Sequence, residues 1–185
     1  EALDAFRVEG PGHNIDFLSA IMQHPRFRAG ELTTGFIAEE YPDGFQGAAA
    51  DEDRLRLVAA LMAAAQVSLM EHEGQISGRL DGAPALPAEW VVKMDGRRFD
   101  VQLGDGGATV DGEWIAGNPD WRPGTVLAAA SGNGENLAIQ LRRTSSSTWA
   151  LTTRGRTHTG IALPKRLAPL LDHMIEKEPP DLSKM

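Results

Sequence analysis

From Leu55 to Met70 the sequence LRLVAALMAAAQVSLM holds thirteen Ala, Leu, Val or Met residues and only three polar ones, Arg56, Gln66 and Ser68. A helix built from it has no polar face, so the rest of the chain must cover it on all sides. The run is 16 residues long and rich in Ala, short of the roughly 20 strongly apolar residues that a bilayer crossing takes. A buried helix is therefore expected. It begins behind Asp51, Glu52 and Asp53, whose carboxylates suit the positive end of a helix dipole, and ends near His72 and Gly74.

The cover has to come from downstream. From Glu89 onward the period changes to two, and short strands recur as EWVVKM, RRFDVQL, ATVDGEWIA, TVLAAAS, NLAIQLRR, TWALTTRG and RTHTGIALP. Turn residues separate them at 95–96, 105–107, 111–112, 132–134 and 145–147, with a longer loop through Asn118, Pro119 and Pro123. Seven or eight strands so spaced imply an antiparallel sandwich or barrel. An Ala-rich helix is slim, and a barrel of about eight strands has room for little more than its own side chains. The expected fold is thus α+β, an antiparallel β-barrel of about 7–8 strands around a long central helix. The pattern also allows a helix packed between a sheet and the N-terminal region.

The first 41 residues alternate helical patterns with turns: EALDAF as a helix end, VEGPGHN as a loop, IDFLSAIMQHPRF as a short amphipathic helix stopped by Pro25, then GELTTGFIAEEY. That is too little chain for a core of its own. The expected division is 1–41 as a small helical piece of another domain, 42–50 as a connector, 51–177 as the helix-filled barrel and 178–185 as the start of a linker. A final helix is expected in KRLAPLLDHMIEKE. Because the sequence opens inside a helical pattern, the chain is expected to be a piece of a longer protein.

The net charge of −8 argues against nonspecific attraction to nucleic acid or to an anionic membrane. With no cysteine, disulfides, thiolate zinc sites and cysteine nucleophiles are excluded. The five histidines, His13, His24, His72, His158 and His173, show no metal-ligand spacing, and no GxSxG, phosphate-loop or GxGxxG motif occurs. No catalytic, cofactor-binding or metal-binding residue is assigned.

Docking features remain. Between Glu135 and Asp172 there is no acidic residue, while Arg142, Arg143, Arg154, Arg156, Lys165 and Arg166 carry +6, leaving −14 on the remainder of a chain of net −8. Such asymmetry suits either an acidic partner or an ordinary solvated face. Residues 75–88 form a loop longer than a common connection. Its Arg79, Leu80 and Leu86, with Arg142 and Arg143 on the basic strands, are the candidate partner-interface residues. Trp121 is added as a tryptophan expected to be exposed in its loop, whereas Trp90, Trp114 and Trp149 are expected in core or half-buried strand pairs.

The stretch ALDAFRVEGPGHNIDFLSAIMQHPRFRAGELTTGFI, residues 2–37, resembles the C-terminal end of the biotin carboxylase domain of biotin-dependent carboxylases. The correspondence runs through Asn14, Ile15, Phe17, Leu18, Phe27, Gly30, Thr34, Phe36 and Ile37. His13 departs from it, standing where that family usually has Thr. The long helix, loop, strands, terminal helix and Pro-containing tail that follow look like the acyl-CoA carboxylase alpha subunits, and RLAPLLDHMIEKEPPDLSKM is similar to the segment before the biotinyl domain of propionyl-CoA carboxylase alpha subunits.

The resemblance implies a parent ligase that uses ATP, Mg and bicarbonate to carboxylate biotin, which then serves a carboxyltransferase beta subunit acting on an acyl-CoA. This region would hold the biotin carboxylase to that subunit and bind none of these cofactors itself. Its partners would be the beta subunit and the rest of its own alpha subunit, in the cytoplasm, or in the mitochondrial matrix of a eukaryote. The alpha subunit of a methylcrotonyl-CoA or acetyl-CoA carboxylase, a small-molecule-binding β-barrel and an independent enzyme are the competing expectations.

Overall fold

A computed structural model of the chain describes residues 2–8, 12–75, 77, 85–117, 121–132 and 135–173. The apolar run lies in α5 (Glu52–Gly74), after the short helices α1 (Ala2–Ala5), α2 (Ile15–Gln23), α3 (Pro25–Ala29) and α4 (Phe36–Glu40). Asp51 caps α5, its Oδ1 accepting from the Arg54 backbone N–H at 2.8 Å. Two of the three polar interruptions of the run have side-chain partners: Arg56 reaches Asp53 at 3.2 Å, and Gln66 Oε1 accepts the indole N–H of Trp149 at 2.8 Å inside the core. No helix among the described residues is long and apolar enough to cross a membrane.

Eight strands follow: β1 (Glu89–Met94), β2 (Arg97–Gly104), β3 (Gly107–Val110), β4 (Glu113–Ala116), β5 (Leu127–Gly132), β6 (Glu135–Arg143), β7 (Thr148–Thr153) and β8 (Arg156–Pro164). They form one antiparallel sheet in the order β4-β3-β2-β1-β8-β7-β6-β5, two meanders joined where β1 pairs with β8. The turns follow their residue chemistry. Asp95 and Gly96 have φ of 51° and 74°, and Asp111 and Gly112 have 50° and 89°, the left-handed pair that a two-residue hairpin with the twist of its strands requires. ATVDGEWIA, a single segment by periodicity, is split by that second turn into β3 and β4.

The sheet is curled, because β4 and β5, at opposite ends of the strand order, touch each other. They share no ladder among the described residues, so what is observed is a curled sheet with two meeting edges. The main packing partners of α5 are strands β1 to β4, β7 and β8. Ten of its residues from Leu55 to Gln66 are buried, and Val58, Ala59, Met62, Ala63 and Ala65 are completely so. They pack with Trp90, Val92, Phe99, Ile139, Trp149 and Leu151 in one core. At about 1.5–3 kcal/mol per large buried side chain, this contact is the main source of cohesion. Gly160 of β8 lets the helix come close, since a Cβ there would lie 2.8 Å from Met62 Sδ and 2.9 Å from the Lys93 carbonyl oxygen.

Replacing Gln66 by leucine should lower stability by about 1–3 kcal/mol, because the Trp149 N–H would be buried without an acceptor. Removing that donor as well, with Trp149→Phe, should then cost little more. Urea unfolding of both variants checks the pair, and simple additivity would contradict it.

Four expectations are corrected. Pro25 does not merely stop a helix. It ends α2 and starts α3, where a missing N–H costs nothing at the first helical position. The described part of the terminal helix is a 3-10 helix over Lys165–His173 with Pro169 inside it, and it buries Ala168 and Leu171 against Val91, Ile161 and Leu163. The expected remainder of that helix to 178 and the linker after it lie outside the described residues. Trp121 is 9% exposed rather than solvent-facing: its ring meets Trp149 edge-on at 5.4 Å, and its Nε1 donates to the Thr125 carbonyl at 2.9 Å. Trp114 is instead 56% exposed on the edge strand β4.

Candidate docking surface

The expected interface residues are scattered. Arg79 and Leu80 lie outside the described residues. Leu86 is 40% exposed just before β1. Arg143 is engaged, its Nε and Nη2 donating to the carbonyls of Ser145 and Ser146 at 2.9 and 3.0 Å and its Nη1 approaching Glu73 at 3.4 Å. It ties the β6–β7 turn to the end of α5. Arg142 points to the other side of β6 and is exposed. Trp121 sits in the core and supports the start of β5 from within.

The structure brings Arg142 to a place that periodicity did not single out, the junction between the N-terminal helices and the sheet. Gln140, two residues before Arg142 on the same face of β6, donates from Nε2 to the Asp4 carbonyl at 2.9 Å. Asp4 accepts from Ser19 Oγ at 2.7 Å, which fastens α1 to α2. At the β7–β8 turn, Gly155 has φ 77°, and a Cβ there would fall 2.2 Å from the Asp16 carbonyl oxygen and 2.9 Å from the Ala20 nitrogen. The turn and α2 are thus in backbone contact. The connector is held by the same turn: Ala48 N–H donates to the Gly155 carbonyl at 3.2 Å, and Arg156 Nη1 donates to the Ala48 carbonyl at 3.2 Å.

Beside this junction an open cleft of about 310 Å³ runs between residues 6–8 and 13–16 on one side and the outer face of β6 to β8 on the other. Its floor includes Gln140, Arg142, Thr152 and Thr157, and its roof Arg7, His13 and Asp16. Strand register explains the floor, for Gln140 pairs with Thr152 and Thr152 with Thr157, a polar row across three strands.

Beneath the junction, His158 on β8 is completely buried. Its Nδ1 lies 2.8 Å from Asp95 Oδ2 in the β1–β2 turn, and because a carboxylate only accepts, Nδ1 carries the proton. Nε2 is buried with no hydrogen-bond partner among the described residues. Burial pushes the imidazole below its ordinary 6.5, a shift that outweighs the opposing pull of Asp95 and is aided by Arg156 and Arg54. The folded protein therefore holds His158 neutral, whereas the unfolded chain takes up a proton below about 6.5. His158's contribution to stability is complete above pH 6.5 and is lost as the pH falls through its depressed folded value. Chemical denaturation across pH should show wild type losing stability below 6.5 more steeply than His158→Leu, and parallel curves would contradict this assignment.

Among the described residues there is no cluster of His, Asp or Glu that would hold a metal ion. The features above are contacts between segments rather than a set of reactive groups.

A family model described as the propionyl-coenzyme A carboxylase BT domain matches residues 58–177, that is, α5 from Val58 onward and the whole sheet. A propionyl-CoA carboxylase alpha chain of Ruegeria pomeroyi is 42% identical over 190 residues, covering 100% of this chain and 28% of that protein. The mitochondrial propionyl-CoA carboxylase alpha chain of Rattus norvegicus is 27% identical over 195 residues, 100% of this chain and 26% of that protein. That of Caenorhabditis elegans is 24% identical over 202 residues, 99% and 28% respectively. The chain spans about a quarter of the length of the curated relatives it matches, and the matches take in residues 1–41, which resemble the end of a biotin carboxylase domain. With the family model covering more than half of its residues, the chain belongs to the propionyl-coenzyme A carboxylase BT domain family.

Proposed function

We propose that the chain is the part of a propionyl-CoA carboxylase alpha subunit that joins the biotin carboxylase to the carboxyltransferase beta subunit, and that it holds the two rather than performing chemistry. The observation that carries this reading is the junction at Gly155. Both α2 and Ala48 are in backbone contact with the β7–β8 turn of the sheet that the family model covers, as a connecting unit between two catalytic bodies would need. On this reading residues 1–41 close the biotin carboxylase, 42–50 connect, 51–177 form a barrel closed around α5 as its axial filling, and 178–185 begin a linker to a biotinyl domain. The parent is a biotin-dependent ligase using ATP and Mg, in the cytoplasm or the mitochondrial matrix. This segment binds none of these cofactors.

The beta subunit is proposed to meet the loop around Arg79, Leu80 and Leu86 and the basic strand bearing Arg142 and Arg143. Exposed Leu86 offers contact area and exposed Arg142 offers steering, at separate points of one broad surface. Leu86→Asp combined with Arg142→Glu should abolish co-purification with the beta subunit while leaving the melting temperature unchanged, since both side chains are exposed. Undiminished co-purification at moderate salt would place the interface elsewhere.

A further inference from the structure

The cleft between the N-terminal helices and the outer face of β6 to β8 has features that a purely mechanical junction does not require. Arg7 and His13 line it from above, and Arg142 and Thr157 line it from below. These donors come from the α1–α2 connection, β6 and β8, segments far apart in sequence that the fold assembles at one spot. The sheet side can offer no acid of its own, because no Asp or Glu occurs between Glu135 and Asp172. Asp16 is the one carboxylate among the described residues of the lining. In a chain of net charge −8, such a spot is a local exception. Its volume of about 310 Å³ is at the lower end of the range for small-molecule sites.

We propose that this cleft binds a small phosphate-bearing ligand, with its phosphoryl oxygens between Arg142 and Thr157 on the floor and Arg7 and His13 on the roof. Arginine offers a planar fork of N–H donors that matches phosphate oxygens, and the Thr157 hydroxyl adds a neutral donor. Donors above and below suit a tetrahedral oxyanion better than a planar carboxylate, which presents its acceptors in one plane. The Thr152 and Thr157 hydroxyls are 2.7 Å apart, and in such a pair one hydroxyl accepts from the other, which leaves the second proton of the pair to be directed outward. Asp16 opposes an anion and limits its affinity. Because the cleft is walled by both the N-terminal helices and the sheet, a bound ligand would strengthen their junction by mass action.

The test is isothermal titration calorimetry of the purified protein with pyrophosphate, inorganic phosphate and succinate in 0.15 M salt. Saturable binding of pyrophosphate is expected, tighter than that of succinate. Arg142→Gln should weaken it by about tenfold or more, the size of a lost charge-assisted hydrogen bond, and Asp16→Asn should tighten it. Arg166→Gln removes the same charge from the 3-10 helix, outside the cleft, and should change nothing. Absence of saturable binding, equal loss in Arg142→Gln and Arg166→Gln, weakening by Asp16→Asn, or succinate binding as tightly as pyrophosphate would each overturn the proposal.

Discussion

Gly155→Val should release the N-terminal helices from the sheet, and Gly96→Val should not. Both glycines close two-residue turns with nearly the same backbone, φ 77° and 74°. A side chain at either position therefore carries the same strain of about 1–2 kcal/mol. Their surroundings differ, for a Cβ at Gly96 meets nothing within 4 Å, while one at Gly155 falls on the Asp16 carbonyl and the Ala20 nitrogen of α2. Helix backbone cannot turn aside as a side chain can, so α2 must move away as a body. The expected result is amide exchange that becomes fast across residues 12–41 in Gly155→Val but stays slow in β1–β8. Overall stability should fall by about 2–4 kcal/mol, against about 1–2 kcal/mol for Gly96→Val. Equal effects of the two substitutions would show that the junction adds no stability beyond the turn.

The second large effect concerns α5 itself. Met62 is completely buried, so Met62→Ala should cost about 2–5 kcal/mol through lost burial and the cavity left behind. Gly160→Ala should cost about 1–3 kcal/mol by overfilling the same place. The two changes are complementary in volume, because the added methyl points at the Met62 sulfur at 2.8 Å. The double variant should therefore be more stable than the sum of the singles predicts, by about 0.5–1 kcal/mol. Relief is partial, since the Lys93 carbonyl oxygen and Met94 Cβ also lie 2.9 Å from the new methyl. Strict additivity in urea unfolding would mean that α5 and β8 do not pack as described.

The helix and the strands were legible because each reports its environment through periodicity. An apolar run without a polar face has to be buried, and Asp-Gly at positions 95–96 and 111–112 has to turn. The misplaced features depend instead on partners far away in the chain. Trp121 lies in a Pro-rich loop and was expected outside, but its neighbour Trp149 belongs to β7, and two rings meeting edge-on cannot be read from either segment alone. Trp114, in a strand of alternating pattern, was expected to be covered. It lies on an edge strand, where its ring rests over Gly104 and Gly107 and the rest faces solvent. Gly155 ends the segment TWALTTRG with no local mark of its role, and its constraint comes from α2. The Asp95–His158 contact likewise joins a turn to a strand that only the β1–β8 pairing brings together.

The same limit applies to the interface. Residue type and exposure suggested Leu86, Arg142 and Arg143, and the fold divides them. Arg143 braces the end of α5, Arg142 faces the cleft at the N-terminal junction, and Leu86 precedes β1. A partner touching all three would span the sheet across β1, β8, β7 and β6.

Sedimentation velocity of the purified chain mixed with a propionyl-CoA carboxylase beta subunit tests the proposed role most directly. A faster-sedimenting complex that persists in about 0.15 M salt, where long-range attraction between exposed charges is largely screened, and that is lost on Leu86→Asp with Arg142→Glu, is the predicted result. Separate sedimentation of the two proteins at micromolar concentration would contradict it.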